Sequence, residues 1–536
     1  MERMTVLELL DRRARERADQ VFVACGEQRR TYRQAAEIAG RVAGGLGALG
    51  VSAGDRVALL VPNRMERIDL FFGCAGLGAV QVPINTFLKG EFLRHQLADC
   101  GAEMAVVDGP GLAALTPVLG ELPRLKRVVL LDGGEEAAPA ASVEVVPFDE
   151  LAGGAATTGE RPAPAPDDLA AIVYTSGTTG LPKGCLLNQG YYVHIGAVWQ
   201  AANELAADDV IYTAFPLFHL SGQALALMAA LHRGATVVFE PEFSASRFMA
   251  TAAEVGATVV MGVGAMAHAI LATPPSPSDT AHRVRLASWI PLPEARQLEF
   301  ENRFGTPVTA EGYGQTECAP VTFSRPSGPR RRSTAGQAAP WLDVRIVDGD
   351  DGEVTPGTVG EIVVRPREPD SLFQGYWGRP EGTLATFRNL WHHTGDYGRM
   401  DADGYLTFVD RKKDALRRRG ENVSSMELEA AIVRHPGIAE AAVHAVPSAA
   451  TEDDIKACVV PDGPAELTAE ALFAFFSETL PYFAVPRYVE ILPALPKNAL
   501  GRVLKHELRA AGVTEATWDF EQLGLTVDRR QRRGGP

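Results

Sequence analysis

Cysteine is scarce in this chain, and the cysteines present are far apart. Only six occur among 536 residues, and none of them form a Cys-x-x-Cys pair. This spacing indicates neither a zinc site nor a disulfide framework, and it fits a reducing compartment. Long apolar runs are missing too, and the N-terminal stretch carries charge throughout, unlike a secretory signal. We therefore expect a cytoplasmic protein without a membrane span.

An excess of basic residues is equally absent. The chain has 52 lysines and arginines against 67 aspartates and glutamates, for a formal net charge of -15. Such a surface repels a phosphate backbone, so nucleic acid is not an expected partner. Hydrophobic residues make up 46% and charged residues 22%, values typical of a folded protein. A chain of this length exceeds the size of a single core, which predicts at least two domains.

The order of hydrophobic patterns predicts an α/β protein. Helical stretches alternate with short apolar strands from about Thr31 to Asp108 and again from about Asp208 to Gly312. Short strands and turns follow each other closely from about Ser333 to Asp410, which indicates a small β-rich part. A charged, glycine-containing segment then leads into a separate α+β pattern. We expect an N-terminal domain over 1–410, a C-terminal domain over 411–520 and a tail over 521–536, with the boundary at Arg411 to Lys413.

The stretch YTSGTTGLPKG, residues Tyr174 to Gly184, combines glycines, hydroxyl side chains and one lysine. It follows the apolar run LAAIVY, which is typical of a buried strand. Glycines let a backbone approach a ligand closely, while hydroxyls and the ammonium of Lys183 suit phosphate oxygens. The Walker A spacing is excluded, because Pro182 precedes the lysine and a glycine follows it. We predict a phosphate-binding loop outside the P-loop NTPase class.

Three further motifs follow along the chain. EGYGQTE, from Glu311 to Glu317, ends a predicted strand and offers glycines, an aromatic ring and a carboxylate suited to a metal ion. HHTGDYG, from His392 to Gly398, places Asp396 in a turn where it can accept hydrogen bonds from a ribose. DRKKDALRRRGEN, from Asp410 to Asn422, puts Arg411 directly after a strand. Each motif alone is weak, whereas all four in this order are specific.

Together, these motifs resemble the superfamily of AMP-forming acyl- and aryl-CoA synthetases, luciferases and nonribosomal-peptide adenylation domains. The chain is most similar in character to fatty-acid-CoA ligase-like proteins and to the crotonobetaine/carnitine-CoA ligase group. The resemblance runs from about Thr5 to Leu508. It implies a large N-terminal domain of layered α/β sheets with a small β-barrel, and a smaller α+β C-terminal domain that rotates between two half-reactions. It also implies ATP, Mg²⁺ and coenzyme A as cofactors and cosubstrates.

The resemblance assigns nucleotide contacts to residues of all four motifs. These are Thr175, Ser176, Gly177, Thr178, Thr179, Gly180, Lys183, Glu311, Gly312, Tyr313, Thr316, Asp396 and Arg411. The loop would cradle the β- and γ-phosphates, and Glu317 would hold Mg²⁺ at the leaving pyrophosphate. Tyr313 would stack on adenine, with Glu311 and the Gly312 carbonyl accepting from its amino group. Asp396 and Arg411 would hold the ribose.

Other roles follow from the same resemblance, together with three departures from it. His219 in PLFHLSG and Gly314 match positions near the acid, and Lys413 matches the hinge. Gly420 lies on the loop facing coenzyme A, but Arg419 stands before it where a glycine is common. The segment ASWIPLP, residues 287–293, replaces a small-residue turn and puts the bulk of Trp289 and Ile290 at or near the wall of the acid pocket. These residues either shorten the pocket, or Trp289 belongs to the core.

The departure that most affects the expected chemistry is Arg502. In PKNALGRVLKHEL the family carries a lysine directly after the glycine, where it bridges the acid and the nucleotide. Arginine keeps the charge but presents a wider planar fork, so the geometry of the bridge changes. Together with Lys183 and Glu317, Arg502 is a predicted catalytic residue. The alternative is a tolerated substitution.

The sequence therefore predicts ATP-dependent activation of a carboxylic acid to an acyl-adenylate, followed by transfer to the thiol of coenzyme A. A carrier protein is a second possible acceptor for the same chemistry. An ATP-dependent diazotase, which adenylates nitrite and transfers it to an arylamine, is an alternative motivated by Arg502. A nucleotide-binding sensor or scaffold without catalysis is the alternative outside enzymes, and it predicts ATP binding without AMP production.

Overall fold

The computed structural model describes residues 2–132, 143–153, 164–175, 181–411, 415–418, 421–448, 453–463, 467–496, 503 and 505–527. The first part of the chain alternates helices and strands, as the sequence pattern predicts. Its elements are α1 (Val6–Glu16), β1 (Val21–Cys25), β2 (Gln28–Thr31), α2 (Tyr32–Ala48), β3 (Arg56–Leu60), α3 (Met65–Leu77), β4 (Val80–Pro83), α4 (Gly90–Cys100), β5 (Met104–Val107), α5 (Gly109–Leu115), β6 (Arg127–Leu130), β7 (Glu144–Pro147) and α6 (Phe148–Ala152). Capping boxes at Thr5 with Glu8 and at Thr31 with Gln34 start α1 and α2.

The second part continues the alternation. Its elements are β8 (Leu169–Thr175), β9 (Lys183–Asn188), α7 (Gln189–Ala202), β10 (Val210–Thr213), a π-helix (Ser221–Met228), α8 (Ala229–Arg233), β11 (Thr236–Phe239), α9 (Phe248–Glu254), β12 (Val259–Gly262), α10 (Gly264–Leu271), β13 (Leu286–Trp289), α11 (Glu294–Phe304) and β14 (Val308–Thr309). One seven-stranded sheet has the order β7-β6-β5-β3-β4-β8-β9, and the other has the order β14-β13-β12-β10-β11-β1-β2. Neighbouring strands are parallel in both, apart from the pairs β8–β9 and β1–β2. The strands are almost continuously apolar because helices cover both faces of a parallel sheet.

The third part is rich in short antiparallel strands. Its elements are β15 (Gly312–Gln315), β16 (Cys318–Phe323), β17 (Gln337–Ala338), β18 (Leu342–Val347), β19 (Gly360–Pro366), α12 (Pro380–Thr386), β20 (Phe387–Arg388), β21 (Trp391–Met400) and β22 (Leu406–Arg411). They form a three-stranded sheet, β15-β16-β17, and a sheet in which β21 pairs with β19, β20 and β22. This β-rich part therefore lies where the sequence predicts one.

The C-terminal unit is a smaller α+β structure. Its elements are β23 (Ala415–Arg418), β24 (Glu421–Ser424), α13 (Ser425–Ile432), β25 (Ile438–Pro447), β26 (Asp453–Pro461), α14 (Ala469–Thr479), β27 (Tyr488–Ile491), α15 (Lys505–Ala511) and β28 (Trp518–Asp519). Strands β25, β26, β27 and β28 form one sheet in that order. The Phe520 ring, next to β28, lies 5.4 Å from Phe473 and 6.5 Å from Phe476 on α14, measured between ring centres.

The architecture confirms the predicted α/β fold with a large N-terminal and a small C-terminal part. The domain boundary stays a prediction, since residues 412–414 lie outside the described ranges. Of the helices described, none has both the length and the apolar content needed to cross a bilayer.

Candidate active site

The carboxyl ends of the parallel strands in the second sheet open onto one large cavity. Segments that follow β10, β11, β12, β13 and β14 line this cavity, and so do the facing ends of β8 and β9. Its volume is about 2270 Å³. Ligands of open α/β sheets bind at this edge, because strands hold the loops in place while the loops supply the chemistry. The cavity is therefore the candidate active site.

The predicted phosphate loop joins β8 to β9 at the cavity wall. Thr175 and Lys183 lie opposite each other in the antiparallel pair, and both line the cavity. The Nζ atom of Lys183 lies 5.0 Å from the centre of the Tyr376 ring. The residues between them, Ser176, Gly177, Thr178, Thr179 and Gly180, lie outside the described ranges. Both ends of the loop thus face the cavity, as a phosphate-binding role requires, while the role itself stays a prediction.

Glu317 is a buried carboxylate on the same side of the cavity. Its Oε1 atom accepts a hydrogen bond of 2.9 Å from the Tyr376 hydroxyl. Burial raises the pKa of Glu317, and the Tyr376 hydrogen bond opposes that rise. Tyr376 therefore contacts the ammonium of Lys183 with its ring and the carboxylate of Glu317 with its hydroxyl. The sequence analysis missed Tyr376, because a lone tyrosine in FQGYWG carries no chemical signal of its own.

Asp396 is the centre of a second polar cluster. Its Oδ2 atom accepts hydrogen bonds of 2.8 Å from both the Tyr313 hydroxyl and the Gln315 amide. Asp396 is buried and lines the cavity, and its partner across β21 and β22 is Arg411, whose side chain is not among those described. Burial and the neighbouring Asp396 carboxylate raise the pKa of Tyr313 well above its ordinary value. The tyrosine hydroxyl thus stays protonated and donates. Gln315 stands inside the EGYGQTE motif but was not predicted to contribute.

Glu311 corrects one of the predicted nucleotide contacts. Its carboxylate forms hydrogen bonds of 3.1 and 2.9 Å with the guanidinium of Arg330. The side chain has no exposed surface, and Glu311 is not among the residues that line the cavity. The Glu311 carboxylate thus faces Arg330 and not the cavity in which a nucleotide would bind. Gly312, beside it, does line the cavity, and its predicted carbonyl contact stays a prediction.

Trp289, a candidate for either the acid-pocket wall or the core, belongs to the core. The residue is fully buried, and its ring centre lies 5.6 Å from that of Phe248 and 5.5 Å from that of Phe300. Side chains alternate between the two faces of a strand, so its neighbour Ile290 is the one that lines the cavity. A Cβ atom added to Gly262, which does line the cavity, would come within 2.2 Å of the Trp289 ring. Trp289 therefore belongs to the core and packs behind residues that line the cavity.

The remaining predicted residues divide into two sets. His219, Gly314 and Thr316 all line the cavity, and the ring of His219 lies 4.7 Å from that of Phe218. The predicted hinge, the predicted loop toward coenzyme A and the predicted bridging residue lie outside the described ranges. These are Lys413, Gly420 and Arg502.

The C-terminal unit forms one side of the cavity. Glu427 on α13 lines it, as does the turn Pro481–Ala484 before β27. The Tyr482 ring lies 4.7 Å from the ring of Phe87 in the N-terminal part. In addition, the Nζ atom of Lys89 donates a hydrogen bond of 2.9 Å to the Ser477 carbonyl. Both parts of the chain thus enclose the same space.

The buried position of Glu427 predicts a pH dependence of stability. Burial raises its pKa from an ordinary 4.5 to about 8. Between those values the folded protein holds a proton that the unfolded chain has lost, so stability falls as the pH rises. Glu427→Gln removes this proton linkage. The melting temperature of the variant should therefore exceed that of the wild type by more at about pH 8.5 than at about pH 5.5. Glu470→Gln, at an exposed glutamate, should show no such trend, and an equal gain at both pH values would contradict the assignment.

Comparison with known proteins extends over both parts of the chain. A family model described as AMP-binding enzyme matches residues 10–377, and one described as AMP-binding enzyme C-terminal domain matches residues 427–502. Feruloyl-CoA synthase from an Amycolatopsis species is 33% identical over 509 residues, which cover 93% of this chain and 97% of that protein. Crotonobetaine/carnitine-CoA ligase from Salmonella agona is 33% identical over 476 residues, covering 86% and 89%.

Among solved structures, a double mutant of o-succinylbenzoate CoA synthetase from Bacillus subtilis, bound to a product analogue, has a TM-score of 0.80. It is 26% identical, and the match covers 94% of this chain and 98% of that one. On this evidence the chain belongs to the AMP-binding enzyme family and is an adenylate-forming ligase.

Proposed function

We propose that the protein uses ATP to convert a carboxylic acid into an acyl-adenylate and then transfers the acyl group to the thiol of coenzyme A. In the first step a carboxylate oxygen attacks the α-phosphorus and pyrophosphate leaves. In the second step the thiol attacks the acyl carbon and AMP leaves. The observation that carries the proposal is the convergence of Lys183, Glu317 and Asp396 on one cavity that also has an apolar region.

The part of the cavity lined by Lys183, Glu317 and Asp396, called here the nucleotide end, has the charges that the first step requires. The acid and ATP are both anions, so attack requires a cation near the phosphates and a positioned ribose. Lys183 supplies the cation, and Asp396 supplies a carboxylate already oriented by Tyr313 and Gln315. In the same proposal, Arg502 bridges the acid and the nucleotide.

Magnesium fits the groups at this end of the cavity. Among the described residues, no three His, Cys, Asp or Glu side chains come together as a metal-binding group. Mg²⁺ is usually held by one or two carboxylates with phosphate oxygens and water, so it does not need such a cage. Glu317 is the carboxylate that would hold it, and the bound ion would offset negative charge on the leaving pyrophosphate.

The relatives support coenzyme A as the acceptor. Feruloyl-CoA synthase and crotonobetaine/carnitine-CoA ligase both match nearly full length, and each is named for a CoA thioester product or for ligation to CoA. A carrier protein would present a similar thiol. An assay that supplies each acceptor in turn is therefore needed to distinguish the two.

The test is release of AMP and pyrophosphate with Mg-ATP across short, medium, long-chain and aromatic acids, with and without coenzyme A. We expect AMP release that depends on an acid and rises with coenzyme A, together with an acyl-CoA product detected by mass. A parallel series with nitrite and arylamines tests N–N bond formation. AMP release that requires nitrite, or ATP binding with no AMP release under any condition, would overturn the proposal.

A further inference from the structure

The segment that carries His219 is held in place by side chains from distant parts of the chain. It spans residues 215–219, called here the His219 loop, and it follows β10. Phe218 and His219 at its end both line the cavity, while Phe215 and Leu217 are buried. Buried backbone N–H and carbonyl groups need hydrogen-bond partners. In this loop several of those partners are side chains, so side chains decide where the loop runs.

Asn63, which follows β3 in the first sheet, joins two loops of the second sheet. Its Oδ1 atom accepts a hydrogen bond of 2.7 Å from the Leu217 N–H, and its Nδ2 atom donates one of 3.0 Å to the Phe215 carbonyl. The same Nδ2 atom donates a second bond of 3.0 Å to the carbonyl of Glu240, directly after β11. Residues 241–243, which come next, line the cavity. One amide therefore fixes the loops after two neighbouring strands, β10 and β11.

The Leu217 carbonyl is held from two further directions. The Nη2 atom of Arg67 donates to it at 3.2 Å, and the Nε2 atom of Gln223 donates at 2.7 Å. The Nη1 atom of Arg67 also donates a bond of 2.8 Å to the carbonyl of Leu59 in β3. A guanidinium is costly to bury, yet Arg67 is 1% exposed and gives both bonds to uncharged carbonyls. The His219 loop is thus tied to the first sheet at considerable cost.

We propose that Asn63 is a positioning residue for the acid, which acts by setting where the His219 loop and the segment after Glu240 meet the acyl group. This inference rests on the proposed function, in which His219 lies near the acid. Asn63 lines the cavity, but both hydrogens of its amide are already used by backbone carbonyls. A change at Asn63 should therefore reach the ligand through displaced loops rather than through a lost direct hydrogen bond.

Asn63→Asp tests the amide donors alone. The variant keeps the side-chain volume and the oxygen that accepts from Leu217, but it places an anionic oxygen against the carbonyls of Phe215 and Glu240. Deuterium uptake by peptides within residues 214–220 should become about 10-fold faster, because the loop opens locally. Uptake in strand β5 should not change. Asn63→Ala, which removes the amide without adding a charge, should show the same pattern.

Binding of acyl-nucleotide analogues measures the effect on the ligand. The probes are the acetyl, octanoyl and cinnamoyl adenosine sulfamates, compared by calorimetry with AMP, which lacks an acyl group. In Asn63→Asp the sulfamate that binds wild type most tightly should bind about 10-fold or more weakly, because small displacements of positioning groups have large effects. The Kd of AMP should stay within about 2-fold, since its contacts lie elsewhere in the cavity. The kcat/KM for AMP release with octanoate or cinnamate should fall in parallel with sulfamate affinity.

Gln189→Glu is the matched control. The Gln189 amide also joins two backbone segments, accepting from the Val6 N–H and donating to the Ala75 carbonyl, both at 3.1 Å. The residue is buried and lies outside the cavity lining. Its change to glutamate should lower the melting temperature, because a charge is buried against a carbonyl. It should nevertheless keep the wild-type sulfamate affinity and the wild-type exchange of the His219 loop.

The outcomes separate the inference from the proposed function. If no acid releases AMP from the wild type, the proposed function fails, while exchange and sulfamate binding still decide the role of Asn63. Weaker sulfamate binding with unchanged loop exchange would make Asn63 a direct ligand contact and overturn the inference. Wild-type affinity despite faster exchange would overturn it, and so would an equal loss of affinity in Gln189→Glu. Sulfamates that bind the wild type no more tightly than AMP would also overturn it.

Discussion

Glu317→Gln is expected to lower the rate of acid-dependent AMP formation by about 100-fold or more, the scale on which groups that stabilise developing charge contribute. Glutamine preserves the side-chain volume and can still accept the hydrogen bond from Tyr376 that the carboxylate accepts at 2.9 Å. The change therefore removes the negative charge with little disturbance of packing. Pyrophosphate release measured against Mg²⁺ concentration should show weaker activation by the metal together with the lower rate.

The control for this prediction is Glu301→Gln. Glu301 pairs with Arg332 at 2.9 Å and lies outside the cavity lining, so its loss should leave the Mg²⁺ dependence unchanged. Wild-type activity should also fall on acidification at a higher pH than an ordinary glutamate would produce, because burial raises the pKa of Glu317 and the ionised form is the one that binds a cation. A Glu317→Gln protein with the wild-type rate and metal requirement would remove Glu317 from the proposed metal site.

Trp289→Ala is expected to destabilise the protein by about 3–5 kcal/mol, the usual result of truncating a large buried aromatic side chain. The ring is fully buried against Phe248 and Phe300, so its removal leaves a cavity in the core behind β13. The measurement is the midpoint of the first urea unfolding transition. Trp289→Phe should recover most of the loss, since it fills most of the same space.

The range of acids activated separates this core role from the other alternative for Trp289, a place in the pocket wall. As core, Trp289 can be changed to Phe without altering which acids are activated, while Ile290, which lines the cavity, cannot be shortened without consequence. An unchanged urea midpoint for Trp289→Ala, accompanied by activation of larger acids, would show that Trp289 forms part of the pocket wall.

Glu311 and Trp289 show which parts of the site a sequence can predict. Lys183, Glu317 and Asp396 were predictable as cavity residues because each belongs to a motif whose residue types suit contacts to phosphate, metal or ribose. The turn predicted at Asp396 was wrong, since that residue lies within the antiparallel strand β21. The place of Glu311 was not predictable, because its partner Arg330 stands 19 positions away in a segment without a pattern. A strand alternates its faces, yet only tertiary packing decides which of Trp289 and Ile290 faces the ligand.

The fold class could be predicted from less information than the site requires. Alternating helix and strand patterns predict layered parallel sheets, and short spacing between strands indicates a β-rich part, because both are local properties of the chain. Contacts such as Phe87 with Tyr482, or Tyr376 with Glu317, join segments that are distant in sequence. No local pattern encodes them, so they emerge only with the structure.

Strand β28 lies at one edge of the C-terminal sheet and pairs with β27. The matched C-terminal family region ends at residue 502, whereas Trp518–Asp519 pairs with β27 and Phe520 packs against Phe473 and Phe476. A chain shortened to the family limits would leave an open sheet edge beside uncovered aromatic rings. Open edges recruit strands from other molecules, so such a fragment would self-associate rather than stay dispersed. Strand β28 and Phe520 thus cover a sheet edge and aromatic rings that would otherwise promote aggregation.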